Sequence, residues 1–78
     1  MTTLTTALNT AFTPATGVFT VQSSGGAARL DRSITAANAW TPVGNVAAGQ
    51  VFVVENPVVG MDYMFVPLNG DPTVRADQ

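Results

Sequence analysis

Hydrophobic positions along this chain come in short blocks, and most of the blocks alternate with polar residues rather than following a helical period. The two clearest are Val51-Phe52-Val53-Val54 and Tyr63-Met64-Phe65-Val66, both rich in β-branched and aromatic residues and bounded by Gly, Asn, Asp or Pro. Neither is long enough for a helix, and each suits a strand buried on both faces. Asn56-Pro57 and Gly60 break the chain between them, so the two blocks are expected side by side in one antiparallel sheet. The other alternations are shorter and more polar. Residues 18–22 set Phe19 and Val21 on one face. Residues 28–34 set Ala28, Leu30 and Ile34 against Arg29, Asp31 and Ser33, with Arg32 out of place on the apolar side. After a loop at 35–39, residues 40–43 return, and Pro42 confines that strand to an edge or a bulge. Residues 44–49 are a connection, and residues 73–77 form a last strand with Val74 and Ala76 inward. The pattern predicts an all-β protein: a small antiparallel β-sandwich or barrel of about six short strands.

Residues 1–16 are different. Leu4, Leu8 and Phe12 are spaced by four, which fits one face of a strand or, with Ala7 and Ala11, one stripe of a helix. The run of β-branched Thr around them favours extended chain. The segment therefore reads as an extended N-terminal arm, ordered on a neighbour because it has little of its own to pack against. The β-sandwich domain occupies 17–78.

Composition turns this fold towards assembly. The chain has 78 residues, of which 46% are hydrophobic and only 10% charged, against roughly 25% charged in ordinary globular proteins. A domain this small has marginal stability unless a disulfide, a metal or a partner adds to it. There is no Cys, His or Lys, which leaves a partner. A surface built from Thr, Ser, Asn, Gln, Ala and Gly suits a subunit better than a free monomer. Three Arg and a net charge of −2 disfavour nucleic acid, whose phosphates need clustered cations. No stretch reaches the ~20 apolar residues of a membrane-spanning helix.

The missing residue types also narrow the chemistry. Without His or Cys there is no Ser-His or Cys-His pair and no imidazole or thiolate metal site. Of the carboxylates Asp31, Glu55, Asp62, Asp71 and Asp77, Asp71 sits in a turn, Asp77 at the terminus, and Glu55 and Asp62 beside strand ends, where solvated carboxylates are ordinary. Asn69, Asp71 and Thr73 alternate as calcium-loop ligands do, but Val74 stands where such a loop needs Gly. Gly25-Gly26 lacks the Lys of a phosphate loop and reads as a turn. No enzyme, cofactor or metal is expected.

From Gly17 onward the landmarks run Phe19-Thr-Val-Gln, a Gly turn, Leu30-Asp-Arg32-Ser33 and Trp40-Thr-Pro42-Val43. Then follow Glu55-Asn-Pro57, Gly60-Met-Asp-Tyr63-Met-Phe65 and Val74-Arg75-Ala-Asp-Gln78. This order resembles small β-sandwich virion proteins of tailed bacteriophages, of the capsid decoration, head-fibre or tail accessory type. The resemblance implies a structural subunit of the virion, assembled in the host cytoplasm. It would be head-associated and bound to other virion proteins such as the major capsid protein or tail subunits, as a homo-oligomer. A host- or glycan-binding tip module and a tail or neck adaptor are the alternatives. Trp40, Tyr63 and Phe65 are expected in the core rather than on a sugar platform.

Alternation also predicts where a partner would bind. Phe52, Val54, Tyr63 and Phe65 should join Phe19, Leu30 and Val74 in the core. That leaves Val51, Val53, Met64 and Val66 on a second apolar face rimmed by Glu55 and Asp62. An uncovered face of that kind usually marks an interface. With the arm residues Leu4, Leu8 and Phe12, these make up the expected partner surface.

Overall fold

Seven strands and two sheets account for the regular structure of the computed structural model, which describes residues 2–15, 17–33, 39–56 and 60–78. They are β1 (Thr3–Thr5), β2 (Gly17–Ser24), β3 (Ala28–Ser33), β4 (Trp40–Val46), β5 (Val51–Asn56), β6 (Tyr63–Pro67) and β7 (Thr73–Asp77). The first sheet runs β1-β7-β2-β5 and the second β4-β3-β6, and every pairing is antiparallel. The protein is an all-β sandwich, as the alternation predicts. Ile34, residues 35–38 of the expected loop, and Pro57 lie outside the described residues.

The inward faces are the ones that alternation assigns. Phe19, Val21, Leu30, Val54, Tyr63, Phe65, Val74 and Ala76 are buried and fill the space between the sheets. Tyr63 meets Phe19 edge-on, with ring centroids 4.9 Å apart. β4 is an edge strand, and its register with β3 jumps from Leu30↔Gly44 to Asp31↔Pro42, leaving Val43 as the extra residue. Pro42 therefore sits where a missing N–H is harmless, beside a bulge. The strand continues beyond the expected end at 43 because Val46 is drawn into the core and Gly44 lies under the Phe52 ring. A Cβ on Gly44 would stand 3.5 Å from that ring.

Three expectations are corrected. Trp40, expected in the core, stands opposite Ser33 on the outer face and is half-buried, because the edge strand β4 turns it away from the facing sheet. The β5 and β6 blocks do not pair with each other. β5 pairs with β2 and β6 with β3, in opposite sheets. Two apolar blocks close in sequence can be joined by a crossover as well as by a hairpin, and their alternation is the same either way. Nor is the segment before β2 a separate arm. β1 pairs with β7, and Asn9, in the left-handed region at φ 56°, turns the chain across to the other sheet. There the Asn9 N–H donates to the Phe65 carbonyl, and Phe12 and Tyr63 exchange two backbone bonds of 2.8 Å. Phe12 is 7% exposed, with its ring stacked on Phe65 at 5.7 Å and edge-on to Phe19 at 6.0 Å. The segment thus closes one open side of the sandwich and finds its hydrophobic partners within the same chain.

A pair of turns locks the end of the sandwich where β2 runs into β3. Gly25 takes φ +77°, as a tight turn requires. Gly26 is needed for a different reason: a Cβ there would lie 2.3 Å from the Asn69 carbonyl oxygen. The Leu68 N–H donates to the Ala27 carbonyl, and the Ala27 N–H donates to Asn69 Oδ1, so the 68–72 turn is clasped against the Gly turn.

Candidate interaction surface

Residues directly opposite each other in an antiparallel pair share a face, so the register defines both outer surfaces. On the β4-β3-β6 sheet the outward rows are Trp40 with Ser33, Pro42 with Asp31 and Met64, and Asn45 with Arg29 and Val66. Asp31 is 4% exposed even though it lies on this outer face. Arg29 covers it through two bonds, Nε to Oδ1 at 2.7 Å and Nη2 to Oδ2 at 3.0 Å. These hydrogen bonds, and then the charge of Asp31, raise the Arg29 pKa above its ordinary value. Met64, Val66 and Trp40 are all half-buried. Here the charged side chains are satisfied and the apolar ones partly covered.

The outer face of the β1-β7-β2-β5 sheet is divided. Its β1–β7 half is polar: Arg75 donates to Asp77 at 2.9 Å and to Thr3 Oγ1, and Thr3 in turn donates to Asp77. Its β2–β5 half carries three exposed valines. The outward rows are Val18 with Glu55, Thr20 with Val53, and Gln22 with Val51. Val18, Val51 and Val53 are 51%, 65% and 61% exposed, while Phe52 on the inner face is 36% exposed at the open side of the sandwich. Among the described residues the β5 backbone pairs with β2 alone, so its far edge is free.

The expected partner residues therefore do not form one surface. Val51 and Val53 lie together on one outer face, and Met64 and Val66 lie on the other, with the core between them. Leu4 and Leu8 pack against the core and Phe12 is part of it, so none of the three is presented to a neighbour as a free arm would present it. Two further exposed apolar residues were not expected on the β5 side, Val18 on its outer face and Phe52 at the open side of the sandwich. Val18 could have been found, since it shares parity with Thr20 and Gln22 opposite Phe19 and Val21. The exposure of Phe52 could not, because it arises from the position of β5 at a sheet edge.

Arg32 faces inward with Leu30, opposite Tyr63, and its Nε is buried without a hydrogen-bond partner. The ion pairs Arg29–Asp31 and Arg75–Asp77 are made by the other two Arg. No three acidic side chains come together among the described residues. A recess of about 370 Å³ lies between Thr2, Leu4, Thr13, Ala15 and Gln78, with no charged side chain in its lining. The most distinctive surface is the valine row beside the free β5 edge. Compared with known protein families, curated proteins and solved structures, the chain has no match.

Proposed function

We propose that this chain is a non-enzymatic structural subunit of a larger protein assembly, held in place by protein–protein contacts through the β5 side of its outer face. The observation that carries this reading is the row Val18, Val51 and Val53, each more than half exposed beside an unpaired strand edge. Leaving that row in water forgoes roughly 25 cal/mol per Å² of apolar area, and in a small domain such a loss is normally recovered by a partner. The low charge of the chain supports the same reading. By its resemblance to small β-sandwich virion proteins, the assembly is a bacteriophage particle. The place on it is the head, as a decoration or head-associated subunit contacting the major capsid protein.

The test is incorporation. Particles purified on a density gradient from cells expressing the sequence should carry the chain at a fixed ratio to the major capsid protein. Val53→Lys, which puts a charge in the middle of the row, should lower that ratio while the free protein keeps its circular dichroism. Absence of the unmodified chain from the particle band refutes the virion role. Undiminished incorporation of Val53→Lys refutes the surface.

A further inference from the structure

Most strand edges in this sandwich are protected against pairing with another chain. β1 is three residues long. The free side of β6 is taken by Asn9 and Phe12 of the same chain. β4 carries Pro42 and the bulge at Val43. Among the described residues only β5 presents six residues without Pro, Gly or a bulge, with a single charge at Glu55. Edges of this kind are templates for a further strand.

We propose that β5 pairs antiparallel with β5 of a second copy of this chain, across a two-fold axis normal to the sheet that passes midway between the two Phe52 residues. The two β1-β7-β2-β5 sheets then continue as one eight-stranded sheet. The proposal rests on the reading that the β5 side is the contact surface, and it names what that side meets. Interface area argues for contact beyond the strand edge. A stable interface buries about 800 Å² per partner, roughly a fifth of the 4283 Å² this molecule exposes. A bare strand edge falls short of that, so the side chains of Val51, Phe52 and Val53 on the edge strand must be covered too. Because the row is apolar and uncharged up to Glu55, it complements itself and has no charge pattern to select an unlike partner.

The register follows from charge. With the axis normal to the sheet, opposed residues must share a face, so the axis passes midway between one β5 residue and its own copy. Centred on Glu55, it sets two carboxylates against each other, which is destabilising. Centred on Val54 or Val53, it sets Glu55 against the partner's Val53 or the partner's Val51. Centred on Phe52, it opposes Val51 to the partner's Val53 and Phe52 to the partner's Phe52. Glu55 then lies opposite the partner's Gly49, beyond the strand. Val51, Phe52 and Val53 each meet an apolar residue, Val54 lies opposite the partner's Gln50, and the half-exposed phenylalanines form a cross-strand aromatic pair.

The chain has no cysteine, so Phe52→Cys places a single thiol beside the axis, opposite its own copy. Opposed Cβ atoms there are about 4.5–5.5 Å apart, close to the disulfide range. Under mild oxidation this variant should form a covalent dimer about tenfold faster than Val18→Cys, which is exposed on the outer face of the same sheet but off the edge. If Phe52→Cys does not fold, a mixture of Val51→Cys and Val53→Cys proteins, opposed across the axis, should cross-link preferentially to each other. Sedimentation equilibrium of the unmodified chain should give twice its 8.1 kDa. Val53→Lys should return it to monomer, whereas Met64→Lys on the opposite sheet should leave the dimer intact. A monomer at every concentration, or cross-linking at the axis no faster than at Val18, overturns the proposal. A monomer that still enters the particle band overturns the dimer and leaves the virion role standing. A dimer absent from that band does the reverse.

Discussion

Phe12 separates a chain with a detachable arm from one whose first residues complete the core, and Phe12→Ala measures which it is. The side chain is 7% exposed, stacked on Phe65, tilted against Tyr63 at 6.1 Å and edge-on to Phe19. Truncating a buried Phe costs about 3–5 kcal/mol, from lost transfer energy and from the cavity left behind. Contacts with three rings place this residue in the upper half of that range. A 78-residue domain has roughly 4–12 kcal/mol of stability in total, so a third or more of it depends on one residue of the N-terminal segment. With a urea slope of about 1–1.5 kcal/mol per molar, the midpoint should fall by about 2 M or more. Unfolding is best followed in a Val53→Lys background, so that self-association does not add to apparent stability. Thr6→Ala, at an exposed position of the same segment, is the control and should stay within about 0.5 kcal/mol. A loss below about 1 kcal/mol for Phe12→Ala at unchanged slope would show that the segment does not close the sandwich, and the packing argument would be wrong.

Gly26→Ala should destabilise the domain by about 2 kcal/mol or more. The new Cβ would stand 2.3 Å from backbone and force the two clasped turns apart, which thermal melting will detect. The melting temperature should also be nearly flat from about pH 6 to 9, because the chain has none of the His or Cys side chains that ordinarily titrate there. The ion pair does not alter this: the Arg29 pKa is raised, so its contribution is complete below the ordinary arginine value and is lost only as pH rises through the raised one. A steep melting profile within that window would count against the assignment.

Much of this architecture can be read from residue order because a strand has a period of two and one face must be dry. Phe19 and Val21, Leu30, Val54, Tyr63 and Phe65, and Val74 and Ala76 face inward as their alternation requires. Pro42 lies on an edge strand beside a bulge because it has no N–H to give. Gly25 turns the chain with positive φ. These are local facts, decided by each segment's own backbone and side chains.

Tertiary structure decided what depends on residues far apart in the chain. Alternation shows which face of β5 or β6 is apolar but not which sheet the strand joins, so only the pairing with β2 and β3 shows that Val53 and Met64 lie on opposite sides of the molecule. The role of Phe12 depends on Tyr63 and Phe65, about fifty residues later, offering a free edge and an unfilled core, which its Thr-rich surroundings do not reveal. Gly26 reads as a second flexible turn residue, yet what requires it is the Asn69 carbonyl. The free edge of β5 is likewise a property of strand order. Its residues would read the same in the middle of a sheet.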